Sequence, residues 1–433
     1  MNAVDIITKT KRGGRLTKKE IQWLINGYVD GTVPDYQMSA WLMAVCFRPL
    51  GDRETLKLTE TMRDSGDVLD LSGIEGVTVD KHSTGGIGDK TSLIIAPICA
   101  VCGLKVPKMS GRGLGFTGGT IDKLESIDGF KVNIDFKNYV DIINKNGAAI
   151  IAQSGHLVPA DKKLYALRDV TGTVDSIPLI CSSIMSKKLA TGADCILLDV
   201  KCGTGAFMKT LDEARQLAEL MVQVGRKADK HTRAMITDMN EPLGNAVGNA
   251  LEVIEACNIL AGKQKDRLYD LCIELAANML ELGGKGSYDT CRQAAVNAVE
   301  DGSALRKFAD MVEAQGGNKN MILDTNLFPT PLYSKDVTTA CGGYICGINS
   351  EEIGLAALMT GAGRKSKEDT IDSSAGMILK KHVGDKIRQG DIIMTLYSST
   401  VSDLSDAAER AAKAVELSAE MPAVRSAVLE VVQ

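Results

Sequence analysis

The sequence has no excess of basic residues and few aromatic side chains. Its 433 residues include 50 lysines and arginines against 55 aspartates and glutamates, a formal net charge of −5, and 4% aromatics. Proteins that bind nucleic acids or anionic membranes usually carry a basic surplus, and single-stranded nucleic acids stack on aromatic side chains. The composition therefore argues against a nucleic-acid partner and against a membrane partner.

Histidine is also scarce, and a long apolar segment is missing. The four histidines, His82, His156, His231 and His382, do not have the spacing of metal ligands, so a histidine-rich transition-metal site is not expected. No uncharged apolar run is long enough to cross a bilayer, and the first residues lack the apolar core of a signal peptide. We expect a cytoplasmic protein.

The cysteines do not suggest a disulfide framework or a zinc site. Their number is odd, eleven, and most are isolated in apolar runs, which is typical of small core side chains in a reducing compartment. Cys99 and Cys102 form a C-x-x-C pair, but no second pair stands at zinc spacing. The pair lies in a helix-like apolar stretch, so we predict core packing for both thiols.

Glycine is abundant, with 43 residues, and the 44% of hydrophobic residues is enough for a full core. The length predicts two or three domains. Residues 1–66 have helical periodicity and short loops, with a capping box at Thr17–Glu20, and predict a helical domain. From residue 76 strands alternate with helices, which predicts a large α/β phosphate-binding domain with a parallel sheet over 76–155 and 192–330. The helical residues 156–191 interrupt this pattern and are expected to complete the N-terminal domain.

Residues 345–433 predict a third, smaller α+β module. Its short strands between Gly-Asp turns are similar to the β-rich sandwich that carries lipoyl or biotinyl groups. A carrier displays a lysine at a hairpin tip in a Met-Lys-Met setting, which is absent here, so a structural module is favoured. The fold class is therefore multi-domain, α + α/β.

A first glycine loop, residues 81–92 (KHSTGGIGDKTS), follows a predicted strand and precedes a helix. Free backbone N–H groups and the helix dipole favour an anion at such a position. The loop is not a P-loop, since Asp89 precedes Lys90 where glycine is required. Nor is it a dinucleotide fingerprint, since Thr91 stands where the third glycine is required.

A second glycine loop, residues 108–125 (KMSGRGLGFTGGTIDKLE), follows the next predicted strand. The carboxyl ends of parallel strands meet at one edge of a sheet, so both loops would contribute to one anion site. The side chains available to a phosphate are Lys81, Ser83, Ser92, Ser110 and Thr120. The alternative is that these are capping and turn residues of an ordinary α/β protein. Two such loops together favour phosphate.

Residues 110–125 resemble the signature of the thymidine and pyrimidine-nucleoside phosphorylases, and residues 81–91, 198–209 and 361–364 resemble other segments of that family. The resemblance covers essentially the whole chain. It implies reversible phosphorolysis, in which a pyrimidine nucleoside and inorganic phosphate give the free base and (2-deoxy-)α-D-ribose 1-phosphate in nucleoside salvage. No organic cofactor is implied.

The resemblance also implies a set of site residues. Phosphate would be bound by Lys81, Ser83, Ser92, Lys108, Ser110 and Thr120. The pyrimidine would be bound by His82, Arg168, Ser183 and Lys187, with His82, Arg168 and Lys187 taking part in catalysis. A potassium ion would be held by Gly88, Thr91, Leu243, Ala246 and Glu255. A homodimer through the N-terminal helices is expected on the same ground.

The residue types suit this chemistry. A departing pyrimidine anion needs positive charge near its carbonyls and N3, which Arg168 and Lys187 can supply, and His82 can donate a proton or a hydrogen bond. Ser183 and Lys187 are four residues apart in a predicted helix and share a face. Substrate would lie in a cleft between two domains, and closure would turn on hinges at 65–76, 147–156 and 190–194.

The sequence leaves alternatives open for the substrate specificity and for the class of reaction. Lys108 stands where thymidine-specific members of the family tend to carry methionine, and a lysine there could bond a ribose 2′-hydroxyl. This favours a phosphorylase of broad specificity, which accepts uridine, thymidine and deoxyuridine, over a thymidine-specific phosphorylase. A phosphoribosyltransferase of related fold would need magnesium, for which Asp212 and Glu213 are candidates, although both suit a helix start better. A phosphate-dependent binding or carrier protein is the non-enzyme alternative.

Overall fold

A computed structural model describes residues 1–113, 118–364 and 369–433. Residues 114–117, in the middle of the second glycine loop, lie outside the described residues. So does the segment 365–368, which follows the family-like residues 361–364.

The N-terminal segment is entirely helical, as predicted. Thr17 accepts a hydrogen bond from the backbone N–H of Glu20, whose carboxylate accepts one from the N–H of Thr17, so the predicted capping box is present. The helices bury one apolar face each, for example Ile21 and Leu24, in a common core. They are α1 (Ala3–Lys11), α2 (Lys18–Asp30), α3 (Asp35–Phe47) and α4 (Asp52–Arg63).

The central α/β domain begins with the strands that carry the two glycine loops. Each of the first two strands ends at a serine, is followed by a glycine loop and leads into a helix, as the sequence predicts. The elements are β1 (Val79–Ser83), α5 (Thr91–Val101), β2 (Val106–Ser110), α6 (Thr120–Leu124), α7 (Phe136–Asn146) and β3 (Ala148–Ala152).

Two helices, α8 (Pro159–Thr171) and α9 (Ile177–Thr191), then leave the sheet and return to the N-terminal helices. Leu164 and Leu179 are buried in the same hydrophobic cluster as Ile21 and Leu24. Because apolar faces are buried against one another, these two helices pack as part of the helical layer although α1–α4 are far away in sequence.

The chain re-enters the sheet and finishes the central domain with a group of helices. Two strands in this region, β5 and the short β6, were not among the strands expected from the sequence, which indicated a largely helical segment from residue 210. The elements are β4 (Cys195–Cys202), α10 (Leu211–Lys227), β5 (His231–Asp238), β6 (Ala246–Val247), α11 (Asn249–Leu260), α12 (Arg267–Leu282), α13 (Tyr288–Glu300), α14 (Ser303–Ala314) and α15 (Asn320–Leu323).

The C-terminal module is α+β, as predicted, with antiparallel strands in two small sheets. Its sheet begins at Tyr333, before the predicted start at residue 345, and β6 of the central domain joins it. Its elements are β7 (Tyr333–Thr338), β8 (Gly343–Ile348), α16 (Ser350–Ala357), β9 (Gly376–Leu379), β10 (Lys386–Ile387), β11 (Ile392–Ser398), α17 (Ser405–Lys413) and β12 (Val415–Ser418). The last strand, β13 (Val428–Val432), leaves the module for the central sheet, so the predicted range 345–433 does not describe a separate unit at its end.

The central sheet has the order β1-β4-β5-β13. Strands β1, β4 and β5 are parallel, and β13 is antiparallel to β5. Strands β2 and β3 form a parallel pair that adjoins β1 through a bridge between Thr78 and Lys105. The carboxyl ends of β1 and β2 therefore lie side by side, and both glycine loops open at the same edge.

Candidate active site

A cavity of about 810 Å³ lies between this edge of the sheet and helices α8 and α9. One wall consists of the two glycine loops and the ends of β1 and β2, and the opposite wall consists of the helices that return to the N-terminal layer. Of the predicted phosphate and pyrimidine ligands, those that line it are His82, Ser83, Ser92, Lys108, Ser110, Thr120, Arg168, Ser183 and Lys187.

The sheet side of the cavity is built to receive an anion. Helix α5 starts at Thr91, and Ser92 lies in its first turn, where backbone N–H groups have no partner within the helix. Ser83 and Ser110 end the two strands, and Thr120 begins the helix after the second loop. Hydroxyl donors, backbone donors and the positive end of a helix dipole thus face one space.

Lys81 differs from the prediction because it does not line the cavity. Its ammonium is buried at 2.7 Å from the carboxylate of Asp199 and donates a hydrogen bond of 2.7 Å to Thr91 Oγ1. Lys201 lies 2.8 Å from the same carboxylate. Side chains alternate across a strand, so the residue beside His82 in β1 points into the interior instead of the cleft.

Lys108 belongs to a second buried group of charges. It donates a hydrogen bond to the backbone carbonyl of Lys81 and lies 3.6 Å from Asp80, while Lys188 of α9 lies 2.5 Å from the other oxygen of Asp80. Burial lowers the pKa of Lys108, Asp80 raises it, and Lys188 and Lys81 lower it, with a resulting value of about 7. Lys108 is therefore only partly charged at neutral pH.

Arg168 is held in place by the backbone of its own region. Its guanidinium donates to the carbonyls of Thr173 at 3.1 Å, Val174 at 2.7 Å and Leu179 at 3.2 Å. Three of the five N–H groups are used in this way, which leaves two for a ligand in the cavity. Burial lowers the pKa of Arg168, but the group stays charged because its ordinary pKa is so high.

Ser183 and Lys187 share one face of α9, as their spacing predicts. Lys187 donates to Ser183 Oγ at 3.3 Å and lies 2.7 Å from Asp161 Oδ2. Asp161 is buried in the first turn of α8, and its other oxygen has no hydrogen-bond partner within the described residues. The carboxylate fixes where the ammonium sits, so Asp161 acts as a positioning residue for Lys187.

His82 is neutral in this environment. Burial is the main cause of a pKa well below the usual value, and the surrounding ammonium groups of Lys188, Lys108, Lys187 and Lys81 lower it further. A neutral imidazole still carries one N–H group, so His82 can donate a hydrogen bond in this form.

The residues predicted to bind potassium do not fit a metal ion. Lys90 places its ammonium 2.8 Å from the carbonyl oxygens of Leu243 and Ala246 and 2.6 Å from Glu255 Oε2. The hydroxyl of Thr91 is engaged elsewhere, since it donates to Asp89 at 2.6 Å. The carbonyl of Gly88 accepts from the backbone N–H of Lys90. Three of the five predicted ligands are therefore already bonded to the Lys90 ammonium, and the other two make hydrogen bonds elsewhere.

Three residues of the cavity region, Asp80, Asp161 and Lys188, were not among the predicted site residues. Asp80 is the one with a usable sequence signal, because a charged residue inside a parallel strand must be paired when it is buried. Asp161 and Lys188 have no such signal, since an acidic residue at a helix start and a lysine beside another lysine are ordinary on helices.

Several other predictions concern features outside this cavity. Cys99 is buried and Cys102 half-buried at the end of α5, in agreement with core packing. Glu213 forms a capping box with Thr210 at the start of α10, so its predicted role at a helix start is confirmed.

In the described parts of the chain no group of three or more His, Cys, Asp and Glu side chains is placed to hold a metal ion. Within the same ranges, every helix is too short or too polar to span a bilayer.

Comparison with known families gives the class of this architecture. The helical bundle domain of the glycosyl transferase family matches residues 4–66, and the α/β domain of that family matches residues 75–305. The pyrimidine nucleoside phosphorylase C-terminal domain matches residues 344–418. Fold and site therefore define a glycosyltransferase-type enzyme.

Similar curated proteins narrow this class. Pyrimidine-nucleoside phosphorylase from Staphylococcus haemolyticus (strain JCSC1435) is 49% identical over 421 residues, 97% of each chain. The proteins of the same name from Geobacillus stearothermophilus and Bacillus subtilis (strain 168) are 51% and 50% identical over 400 residues, 92% of each chain. The chain belongs to the pyrimidine-nucleoside phosphorylase family.

A solved structure supports the fold alone. Anthranilate phosphoribosyltransferase from Thermus thermophilus superposes with a TM-score of 0.58 at 18% sequence identity, covering 72% of this chain and 99% of its own. The fold of most of the chain is thus shared with an enzyme of another name, and a shared fold does not by itself define the reaction.

Proposed function

We propose that this chain catalyses the reversible phosphorolysis of pyrimidine nucleosides and accepts uridine, thymidine and deoxyuridine. Family membership supports the reaction, and the cavity supports the placement of both substrates. The observation that carries the proposal is the composition of the cavity walls: anion donors on the sheet side and Arg168, Ser183 and Lys187 on the helix side.

Phosphate is proposed to bind on the sheet side through the start of α5 and the five side chains that face the cavity there. Ser83, Ser92, Ser110 and Thr120 donate hydrogen bonds, and Lys108 supplies charge when protonated. Lys81 is left out of this set because it is bonded to Asp199 and Thr91. Its proposed part is to keep the end of β1 and the start of α5 together.

The pyrimidine is proposed to bind on the helix side. As the glycosidic bond breaks, negative charge spreads onto the ring carbonyls and N3, and the free N–H groups of Arg168 together with Lys187 stabilise it. The neutral His82 donates a hydrogen bond to a carbonyl of the base. Phosphate then attacks the sugar carbon from the opposite side, so the enzyme contributes position and charge and needs no nucleophile of its own.

The deciding experiment measures free uracil or thymine released from uridine or thymidine with and without phosphate. We expect release only with phosphate, and pentose 1-phosphate in equal amount. Release without phosphate would indicate a hydrolase, and no release from either nucleoside would contradict the proposal. Turnover of thymidine with negligible turnover of uridine would favour the thymidine-specific alternative.

Lys108 is expected to make phosphate binding dependent on pH. Its charge is complete below about pH 6 and is lost as pH rises through its pKa of about 7, so the KM for phosphate should increase by up to about tenfold per pH unit above neutrality. Steady-state kinetics between pH 6 and 9 test this. In Lys108→Gln the KM should be high at every pH and rise less steeply. Phosphate's own ionisation is the same for both proteins, so equal slopes would contradict the role of Lys108.

The same residue is proposed to favour ribonucleosides. Lys108→Met should lower kcat/KM for uridine relative to thymidine by about tenfold. This is about the loss in transition-state binding that is expected when one hydrogen bond from a charged donor, here to the ribose 2′-hydroxyl, is removed. A loss that is equal for both nucleosides would assign Lys108 to phosphate alone.

The oligomeric state and location stay proposals. A homodimer through the N-terminal helices is supported by exposed apolar side chains on α1 and α3, among them Val4, Tyr36, Met43 and Phe47. A monomer mass in analytical ultracentrifugation would contradict it. A cytoplasmic location is supported by eleven free thiols, which suit a reducing compartment.

A further inference from the structure

Lys90 lies at the junction of the first glycine loop and helix α5, and its side chain is completely buried. An ammonium group has three N–H donors, and here all three have acceptors: two backbone carbonyls, of Leu243 and Ala246, and the carboxylate of Glu255. The three distances, 2.6 to 2.8 Å, are those of strong charge-assisted bonds.

The carboxylate of Glu255 accepts further hydrogen bonds. Besides the lysine, Glu255 accepts hydrogen bonds from the backbone N–H groups of Asn245 at 2.6 Å and Ala246 at 2.9 Å and from Gln264 at 2.8 Å. The buried charges cancel within this group, which is the condition under which ionised side chains are stable in a protein interior.

The glycine loop packs closely against the carbonyls that Lys90 bonds. Gly88 has a positive φ of 73°, and a Cβ at that position would lie 2.6 Å from the carbonyl oxygen of Leu243 and 3.2 Å from that of Ala246. The backbone of the glycine loop thus packs directly on the two carbonyls that Lys90 bonds. A metal ion would have to displace the ammonium in order to reach these oxygens.

We propose that the Lys90 ammonium is a built-in monovalent cation, which holds the phosphate loop to the loop 243–246 and to helix α11 in the place of a potassium ion. It follows that this chain neither binds nor requires potassium. The three oxygens belong to residues more than 150 positions away from Lys90 in sequence, so the lysine adds a charged contact to the backbone hydrogen bond from Leu243 N–H to the carbonyl of Ile87, which joins the same two parts of the chain.

The first test uses the unmodified protein. It is transferred into tetramethylammonium chloride and titrated with KCl or NaCl at constant ionic strength, and its thermal midpoint and phosphate-dependent turnover are measured. We expect the same midpoint, within about 1 °C, and the same rate in all three salts. A potassium-specific increase in either quantity would overturn the proposal.

The second test uses a substitution at Lys90 to make the protein depend on potassium. Lys90→Thr removes the ammonium and leaves a space lined by the three acceptor oxygens and a hydroxyl, an all-oxygen ligand set that suits a hard cation. We expect a thermal midpoint about 10 °C lower without potassium, and recovery of at least half of that loss in KCl. A midpoint unchanged by the substitution, or no recovery in KCl, would contradict the proposal.

Two control variants separate this effect from a general loss of stability. Lys90→Met fills the space without charge, so its lower midpoint should not respond to KCl. Lys105→Thr removes another lysine that donates to backbone carbonyls, those of Ile143 at 3.2 Å and Asn144 at 2.7 Å, but has no buried carboxylate beside it. Recovery of either variant in KCl would mean that the salt acts elsewhere. Because thermal midpoints need no substrate, this inference and the proposed reaction can fail separately.

Discussion

Replacing Lys187 by methionine is expected to lower kcat/KM for uridine and thymidine by about 10²- to 10³-fold, the cost of removing one donor aimed at developing charge. The ammonium is held at 2.7 Å from Asp161 and lines the cavity beside Ser183, where the departing base is proposed to gain its negative charge. Steady-state kinetics at saturating phosphate measure the effect, and most of it should fall on kcat, since the charge develops in the transition state.

Lys187→Met removes the ion-pair partner of the buried carboxylate of Asp161, so the variant is expected to lose stability as well as activity, and the two losses have to be measured separately. The double variant Lys187→Met/Asp161→Asn removes both charges and should recover stability without recovering activity. Lys163→Met is the matched control on α8, since Lys163 donates to the carbonyls of Tyr28 and Val29. A fall in activity of less than fivefold in the folded double variant would remove Lys187 from the proposed site.

Replacing Lys81 by methionine is expected to lower the free energy of unfolding by about 3–5 kcal/mol, because it leaves a buried carboxylate with one partner fewer. Lys81 and Asp199 are 2.7 Å apart, and Asp199 is completely inaccessible to solvent. Chemical denaturation followed by circular dichroism measures the loss.

The KM for phosphate separates this structural role from the one that the sequence predicts for Lys81. If Lys81 is not a ligand, the folded variant should keep a KM for phosphate within about threefold of the wild type, about 0.6 kcal/mol in binding free energy. Lys108→Met, whose lysine does line the cavity, should raise it more. A stable Lys81→Met protein with a strongly raised KM would show that the sequence prediction was right and that Lys81 turns towards bound phosphate.

The local features of the fold were predictable because their signals are contained in short stretches of sequence. The capping box at Thr17–Glu20 and the strand–glycine loop–helix order around residues 81–92 depend on neighbouring residues, and both are present. Strand β5 was missed because it begins with the polar residues His231, Thr232 and Arg233, which hide the buried half that follows. In a strand buried on both faces there is no alternation to reveal it.

The contacts that individual buried side chains make were much less predictable from the sequence. Lys81 and Lys90 belong to one glycine loop, and of the two only Lys81 was predicted to bind phosphate, yet Lys81 bonds Asp199 and Lys90 bonds Glu255. Each partner is more than 100 residues further along the chain, and nothing near the lysines points to it. Spacing did succeed for Ser183 and Lys187, where the relevant distance is one turn of a helix.

The position of β13 has a consequence for how this protein is made. The strand covers the free edge of β5, but it is synthesised only after all the residues of the C-terminal module. At the usual rates of translation, the edge of β5 stays open on the ribosome for on the order of ten to forty seconds. An uncovered strand edge is a template for pairing with another chain, so neighbouring nascent chains on one messenger are most exposed to faulty association along β5.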